Sequence, residues 1–113
     1  MESTRSLFLE TVGESPATKV IDFFLGMRGF DYSKSQIARE SGISRITIEP
    51  IWKKLIDGGM IKKTRTVGRA EMYKLDLENP KVRALIELDF KLSENFAVKQ
   101  EATKMKVSVK TVR

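Results

Sequence analysis

Residues 37 to 52 read Ile37-Ala38-Arg39-Glu40-Ser41-Gly42-Ile43-Ser44-Arg45-Ile46-Thr47-Ile48-Glu49-Pro50-Ile51-Trp52. Two helices meet in this stretch. Ile37 and Ala38 face inward on a short helix, Lys34 to Glu40. It opens on Ser33 with Gln36, a capping box in which the Ser serves the third amide and the Gln reaches back. Ser41-Gly42-Ile43-Ser44 breaks that helix, and Gly42 can take the positive φ of a sharp turn. Ser44 caps the next helix. Ile48, Ile51, Trp52, Leu55 and Ile56 form its core-facing stripe, and Gly58-Gly59 ends it. Ala38 must be small for the two helices to approach.

Upstream, Ser15-Pro16 gives a cap followed by the one helical position where a missing N–H costs nothing. Val20, Ile21, Phe24 and Met27 then recur at helical spacing, which predicts a helix from Pro16 to Arg28 with Gly29 as its stop. Tyr32, just before a cap, reads as a hydrophobic staple. Residues 1–14 give a weak signal, with Leu7, Leu9 and Val12 available to pack. Downstream, Met60 to Thr66 and Ala70 to Asp76 are extended runs joined by Val67-Gly68-Arg69, a hairpin connection. Met60 reads as packing beneath that hairpin. Asn79-Pro80 opens a last helix to about Phe96. In the segment Lys99 to Arg113, apolar and basic residues alternate over one stretch, which fits a short strand or a disordered basic tail. The expected organisation is an N-terminal extension (1–14), a central domain (15–78), a C-terminal helix (79–98) and the tail (99–113).

Composition removes whole classes of function. The 113 residues are 41% hydrophobic and 32% charged, a globular balance in one domain. There is no Cys and no His, so disulfides, thiolate or imidazole metal sites and histidine-dependent catalysis are impossible. No clustered carboxylate pair offers acid–base chemistry in their place. No cofactor, metal or catalytic residue is expected, and the chain reads as a non-enzyme. No segment is long and apolar enough to span a membrane, and residues 1–12 do not read as a signal peptide, so a cytoplasmic, nucleoid-associated location is expected. The net charge is +6, and its distribution is uneven. Residues 45–74 hold eight basic and three acidic residues, and 99–113 hold five and one. A segregated positive field attracts polyanions such as nucleic acid.

Helix, short helix, glycine turn, capped helix and basic hairpin follow in the order of a winged helix-turn-helix: a mainly α fold with a small β-hairpin and a C-terminal helix. The sequence resembles the prokaryotic winged helix-turn-helix transcription regulators of the multiple-antibiotic-resistance and arsenic-repressor type. The matching residues are Ile37 to Arg45, Thr47-Ile48, Lys53-Lys54-Leu55, Gly59-Met60-Ile61 and Val67-Gly68-Arg69, so the likeness covers about Ser15 to Asp76. It implies a recognition helix after Ser44 and a hairpin wing along the adjacent minor groove of double-stranded DNA. The absence of His and Cys excludes the usual ligands of an arsenic-repressor-type metal sensor. Which small-molecule effector, if any, acts on the protein is not visible in the sequence.

If the apolar stripe faces the core, Arg45, Ile46, Glu49, Pro50, Lys53 and Asp57 face out. Arg45 is the best candidate for a base contact, because Arg pairs bidentately with guanine. Ser44 and Thr47 sit at a helix N-terminus, which suits a phosphate. Lys53 and Lys54 would meet the backbone further along. Arg65 and Arg69 flank the turn, with Lys62 and Lys63 behind them. Ser33 and Ser35, at the start of the preceding helix, complete the candidate DNA-binding set. Ile46 and Pro50 could touch thymine methyls. Trp52 lies on the apolar stripe and reads as core.

Two residues depart from the resembling pattern. Glu49 would repel phosphates unless it accepts from a cytosine amino group. Pro50 inside a helix removes one hydrogen bond and clashes with the preceding turn, at about 3 kcal/mol. Either the helix kinks there or it begins later, with Thr47 as its cap. The apolar set of the last helix, with Leu85, Leu88, Leu92 and Phe96, exceeds what one neighbour requires and points to a homodimer. The leading expectation is a sequence-specific, homodimeric DNA-binding regulator. The alternatives are a broad-specificity chromatin or segregation protein, suggested by Glu49-Pro50 and the basic tail, and a winged-helix protein-interaction module.

Overall fold

The computed structural model describes residues 6–104, with side chains through residue 94. Among the described residues, five helices and three short strands follow one another as α1 (Leu7–Val12), α2 (Pro16–Gly26), β1 (Tyr32–Ser33), α3 (Lys34–Ser41), α4 (Arg45–Asp57), β2 (Ile61–Val67), β3 (Ala70–Leu75) and α5 (Pro80–Lys104). The strands form one antiparallel sheet in the order β1-β3-β2.

The caps lie where side-chain chemistry demands. Ser15, Ser33 and Ser44 each accept an N–H from three residues on, and Ser15 and Ser33 complete capping boxes with Thr18 and Gln36. Gly42 ends α3 at φ 71°, ψ 35°, the left-handed conformation that allows α4 to leave at an angle. A Cβ built there meets nothing within 4 Å. Gly42→Ala is therefore expected to cost the backbone penalty alone, about 1 kcal/mol. Urea denaturation would show a shifted midpoint at constant slope.

Thirteen buried residues form one core, drawn from every helix and from β2 and β3. Val20, Phe24 and Leu25 of α2 lie against Ile37 and Ala38 of α3 and Ile48, Trp52 and Leu55 of α4. Trp52 stacks on Phe24 (ring centroids 5.9 Å apart, 29° between planes) and meets Tyr73 of β3 edge-on at 5.5 Å and 79°. It is core, as the stripe predicts. Met60 is half-buried against the same core and borders a cleft with Ala17 and Ile21 of α2 and Ile51 of α4. Ile51 is only half-buried, and Ile56 is 38% exposed, because the stripe drifts off the core towards the helix end.

The structure corrects several sequence expectations. Residues 1–14 give only a weak signal in the sequence; in the structure Ser6 caps α1 and its hydroxyl donates to Asp22 Oδ1 of α2 at 2.8 Å. Burial raises the Asp22 carboxyl above its ordinary pKa, and the Ser6 hydroxyl partly offsets that rise. Phe8 and Leu9 enter the core, while Val12 stays 41% exposed, so the packing pair is not the expected Leu7, Leu9 and Val12 set. α1 packs on α2 and α5, too short an element for its periodicity to show in sequence. β1 went unseen for the same reason: two residues, with Tyr32 opposite Tyr73, add a third strand. α2 ends at Gly26, two residues before the expected Arg28, and Met27 caps it.

The last helix runs to Lys104, past the expected Phe96, because no Gly or Pro follows Pro80 to stop it. Residues 99–104 are thus helical, and the expected tail from 105 to 113 lies outside the described residues. No helix among the described residues is long and apolar enough to cross a membrane.

Asn79 joins two helices. Its Oδ1 accepts from Lys81 N and Val82 N at the start of α5, and its Nδ2 donates to the Gly58 and Gly59 carbonyls at the end of α4. The cap expected from Asn79-Pro80 is present, and it also satisfies carbonyls that the end of α4 leaves free.

Candidate nucleic-acid interface

α4 presents its polar face as its period requires. Arg45, Ile46, Glu49, Pro50, Lys53 and Asp57 are all exposed, with Ile46 84% exposed. Ser44 is the cap, so the alternative start at Thr47 is excluded and the helix continues unbroken past Pro50, its sixth residue. Pro50 removes the N–H that the Ile46 carbonyl would accept. Ile46 is 84% exposed, so solvent can reach this turn and replace the lost bond. At the N-terminus, Ser44 Oγ accepts from Thr47 N at 3.0 Å and lies 2.9 Å from Thr47 Oγ1.

α3, α4 and the hairpin enclose a groove of about 610 Å³. Ser33, Lys34 and Ser35 line it from the start of α3, Glu49, Lys53 and Asp57 from α4, and Arg69 and Glu71 from the hairpin. A smaller cleft beside it, about 170 Å³, shares Lys34, Ser35 and Glu49 and adds Arg45. Residues 36 positions apart in sequence, Ser33 and Arg69, thus border one continuous surface.

The charges on that surface are largely paired. Lys34 Nζ lies 2.7 Å from Glu49 Oε2, and Lys53 Nζ lies 2.9 Å from Asp57 Oδ2. Lys62 and Lys63 each approach a carboxylate of β3 or its end, Asp76 and Glu71, at 3.7 Å. Arg65 turns away from the hairpin tip and grips Asp31, Nε to Oδ2 at 2.9 Å and Nη2 to Oδ1 at 3.1 Å. Among the described residues, Arg45, Lys54 and Arg69 have no carboxylate within ion-pair reach. Exposed ion pairs are worth only about 0–1 kcal/mol, so a phosphate can displace a carboxylate from Lys34 or Lys53 cheaply.

Hydrogen bonds from Arg65, and then from Thr64, hold the Asp31 carboxyl well below its ordinary value, down to about 2. A lowered acid contributes its stability above the unfolded pKa and loses it as the pH falls through the folded one. The Asp31–Arg65 pair therefore persists throughout the neutral range and fails only towards about pH 2.

Of the candidate contacts, Ser33 is buried, and its hydroxyl oxygen accepts from Gln36 N at the start of α3. Ser35, Ser44, Arg45, Ile46, Glu49, Pro50, Lys53, Lys54, Lys62, Lys63, Arg65 and Arg69 are exposed, and Thr47 is half-buried. Lys34 was absent from the candidate set, although it lines both clefts. Its position directly after the Ser33 cap was the only sequence signal. Of the expected dimer residues, Leu85, Leu88 and Leu92 are half-buried along α5, and Phe96 lies beyond the described side chains. Phe90, on the same helix, is 60% exposed.

No protein-family model matches the sequence, and none of the curated proteins compared with it does. Solved structures do match. ZitR of Lactococcus lactis, in apo form, superimposes with a TM-score of 0.60 at 18% identity, covering 79% of this chain and 67% of that one. MepR, a transcription regulator of the Staphylococcus aureus multidrug efflux pump MepA, gives 0.57 at 12%, covering 92% and 80%. A probable transcriptional regulator from Pseudomonas aeruginosa gives 0.51 at 17%, covering 94% and 82%. The chain has the winged-helix fold of prokaryotic transcription regulators. In this winged helix α3 and α4 are the helix-turn-helix, and β2 and β3 are the wing.

Proposed function

We propose that the protein is a sequence-specific, double-stranded-DNA-binding transcription regulator that acts as a homodimer. α4 enters the major groove, and the wing lies on the adjacent minor groove. The observation that carries this reading is the exposed N-terminus of α4, where Arg45 is unpaired among the described residues and Ile46 and Ser44 flank it. A helix fits the major groove, and its N-terminal outward residues reach base edges. Arg69 at the wing turn, without an ion-pair partner among the described residues, supplies the minor-groove contact. α5, with Leu85, Leu88, Leu92 and the exposed Phe90, supplies the two-fold interface that pairs two half-sites.

Selection of bound sites from random duplexes, followed by fluorescence anisotropy at several salt concentrations, tests the proposal. A two-fold symmetric consensus and a steep loss of affinity with salt are expected. Equal affinity for random and selected DNA would instead favour a broad chromatin or segregation role, consistent with Glu49 and Pro50 on the reading face. Arg69→Ala is expected to weaken binding about equally on all sequences and to reduce the salt slope by about 0.9, the share of one phosphate contact on B-DNA. A salt slope equal to that of the wild type would remove Arg69 from the interface.

A further inference from the structure

We propose that Asp31 is a positioning residue of the wing: gripping the hairpin at its last rung of attachment, it sets where the Gly68-Arg69 turn lies relative to α4. The inference rests on the DNA-binding reading above and adds to it a residue outside both the helix-turn-helix and the wing.

The wing has few other restraints. Every residue of β2 after Ile61 is exposed, so the outer hairpin has no core side. The ladder that ties the hairpin to the rest of the fold is β1 with β3, and it consists of two pairs, Tyr32–Tyr73 and Ser33–Met72. Met72 is its last rung towards the turn. From Glu71 outward, the wing is bonded only to itself.

Asp31 acts at that rung. Opposite Met72 on β2 stands Arg65, while the next pair inward is Lys63 with Tyr73, so Thr64 is an extra residue, a β-bulge. The bulge leaves Thr64 and Arg65, neighbours in sequence, both able to reach one carboxylate. Arg65 donates twice to Asp31, Thr64 Oγ1 donates to Oδ2, and Thr64 Oγ1 lies 3.3 Å from the Met72 carbonyl. Asp31 is itself fixed: its side chain is 15% exposed, against 62% for Arg65, and it directly precedes β1. A bidentate Arg–carboxylate pair sets angle as well as distance. From Arg65 the strand runs roughly 10 Å further to the turn, so a small rotation at this pivot becomes a larger displacement of Arg69.

The rival role for Arg65 is direct contact with phosphate, with Asp31 merely masking it. The two roles predict opposite results for Asp31→Ala. A double-mutant cycle read by DNA anisotropy and hydroxyl-radical footprinting separates them. Asp31→Ala and Arg65→Ala are each expected to weaken specific binding about 5- to 10-fold, with the double variant no worse than either, because one interaction is lost in all three. Minor-groove protection under the wing should blur, while major-groove guanine protection under α4 stays sharp. The exchanged pair, Asp31→Arg with Arg65→Asp, should recover part of the affinity. Unchanged or tighter binding by Asp31→Ala overturns the proposal. Hydrogen exchange on the DNA-free protein supplies a reading that does not depend on the ligand. Amides from Val67 to Ala70 should exchange faster in Asp31→Ala, with core amides unaltered, and equal rates throughout the wing overturn the proposal as well. Wild-type protein that binds no duplex would sink the regulator reading while leaving the exchange result to decide the role of Asp31.

Discussion

Trp52→Ala is expected to destabilise the protein by about 3–5 kcal/mol, the range for removing a large aromatic from a packed core. Domains of this size have about 5–15 kcal/mol in total, so the variant would stand near the edge of folding. The physical reason is the placement of the ring. Trp52 is 5% exposed and touches both Phe24 of α2 and Tyr73 of β3, so one side chain ties α4 to the helical layer and to the sheet. Its deletion leaves a cavity bordered by three elements that cannot all collapse inward. Urea denaturation followed by far-UV circular dichroism measures the loss, since Trp52 is the sole tryptophan and its fluorescence disappears with it. Trp52→Phe should retain a large share of the stability by keeping a ring between Phe24 and Tyr73. A loss below about 1 kcal/mol for Trp52→Ala, the scale of a surface substitution, would contradict the packing described here.

The largest effect on binding is expected from Arg45→Ala: about 10- to 100-fold weaker binding to the selected site, equivalent to about 1–3 kcal/mol for one bidentate base contact. Arg45 is the first residue of α4, exposed, and without a carboxylate partner among the described residues, so no internal interaction must be broken before it reaches a base. Lys53 provides the contrast. It is tied to Asp57 at 2.9 Å, and Lys53→Ala should cost less and weaken all duplexes alike. Anisotropy with the selected duplex, a scrambled duplex and duplexes carrying single guanine replacements gives the answer. For Arg45→Ala the affinity for scrambled DNA should fall far less than for the selected site, and discrimination at one guanine should vanish. Equal losses on both would make Arg45 a phosphate contact and move base reading elsewhere on α4.

The elements that local chemistry dictates were legible in the sequence. Three serine caps, the left-handed Gly42 and the apolar stripe of α4 depend on local spacing; the caps and Gly42 stand where the spacing placed them, and Ile48, Trp52 and Leu55 of the stripe are buried while Ile51 and Ile56 drift off the core. The outward set of α4 followed from the same period. What was not legible depends on distance along the chain. Arg65 finds its carboxylate 34 residues upstream, Lys34 finds Glu49 15 residues downstream, and Lys62 pairs with Asp76 across the hairpin. A charge count registers these cations as available. Only the fold shows that several are already engaged, leaving Arg45, Lys54 and Arg69 without ion-pair partners among the described residues. Ser33 is the candidate that the fold covers: its side chain is buried, and its hydroxyl oxygen accepts from Gln36 N in the capping box that marks the helix start. α1 and β1 escaped because six and two residues are too few to display a period.

Asn79 makes the two ends of the molecule mechanically dependent. Its amide holds the last carbonyls around α4 while its oxygen holds the first amides of α5, so one side chain joins the two helices beside the packing of α5 on α1 and α2. α5 extends 25 residues from that junction, about 37 Å at helical rise, so it is a long arm on a short fulcrum. A sideways travel of several ångströms at its far end corresponds to a tilt of only a few degrees where α4 terminates.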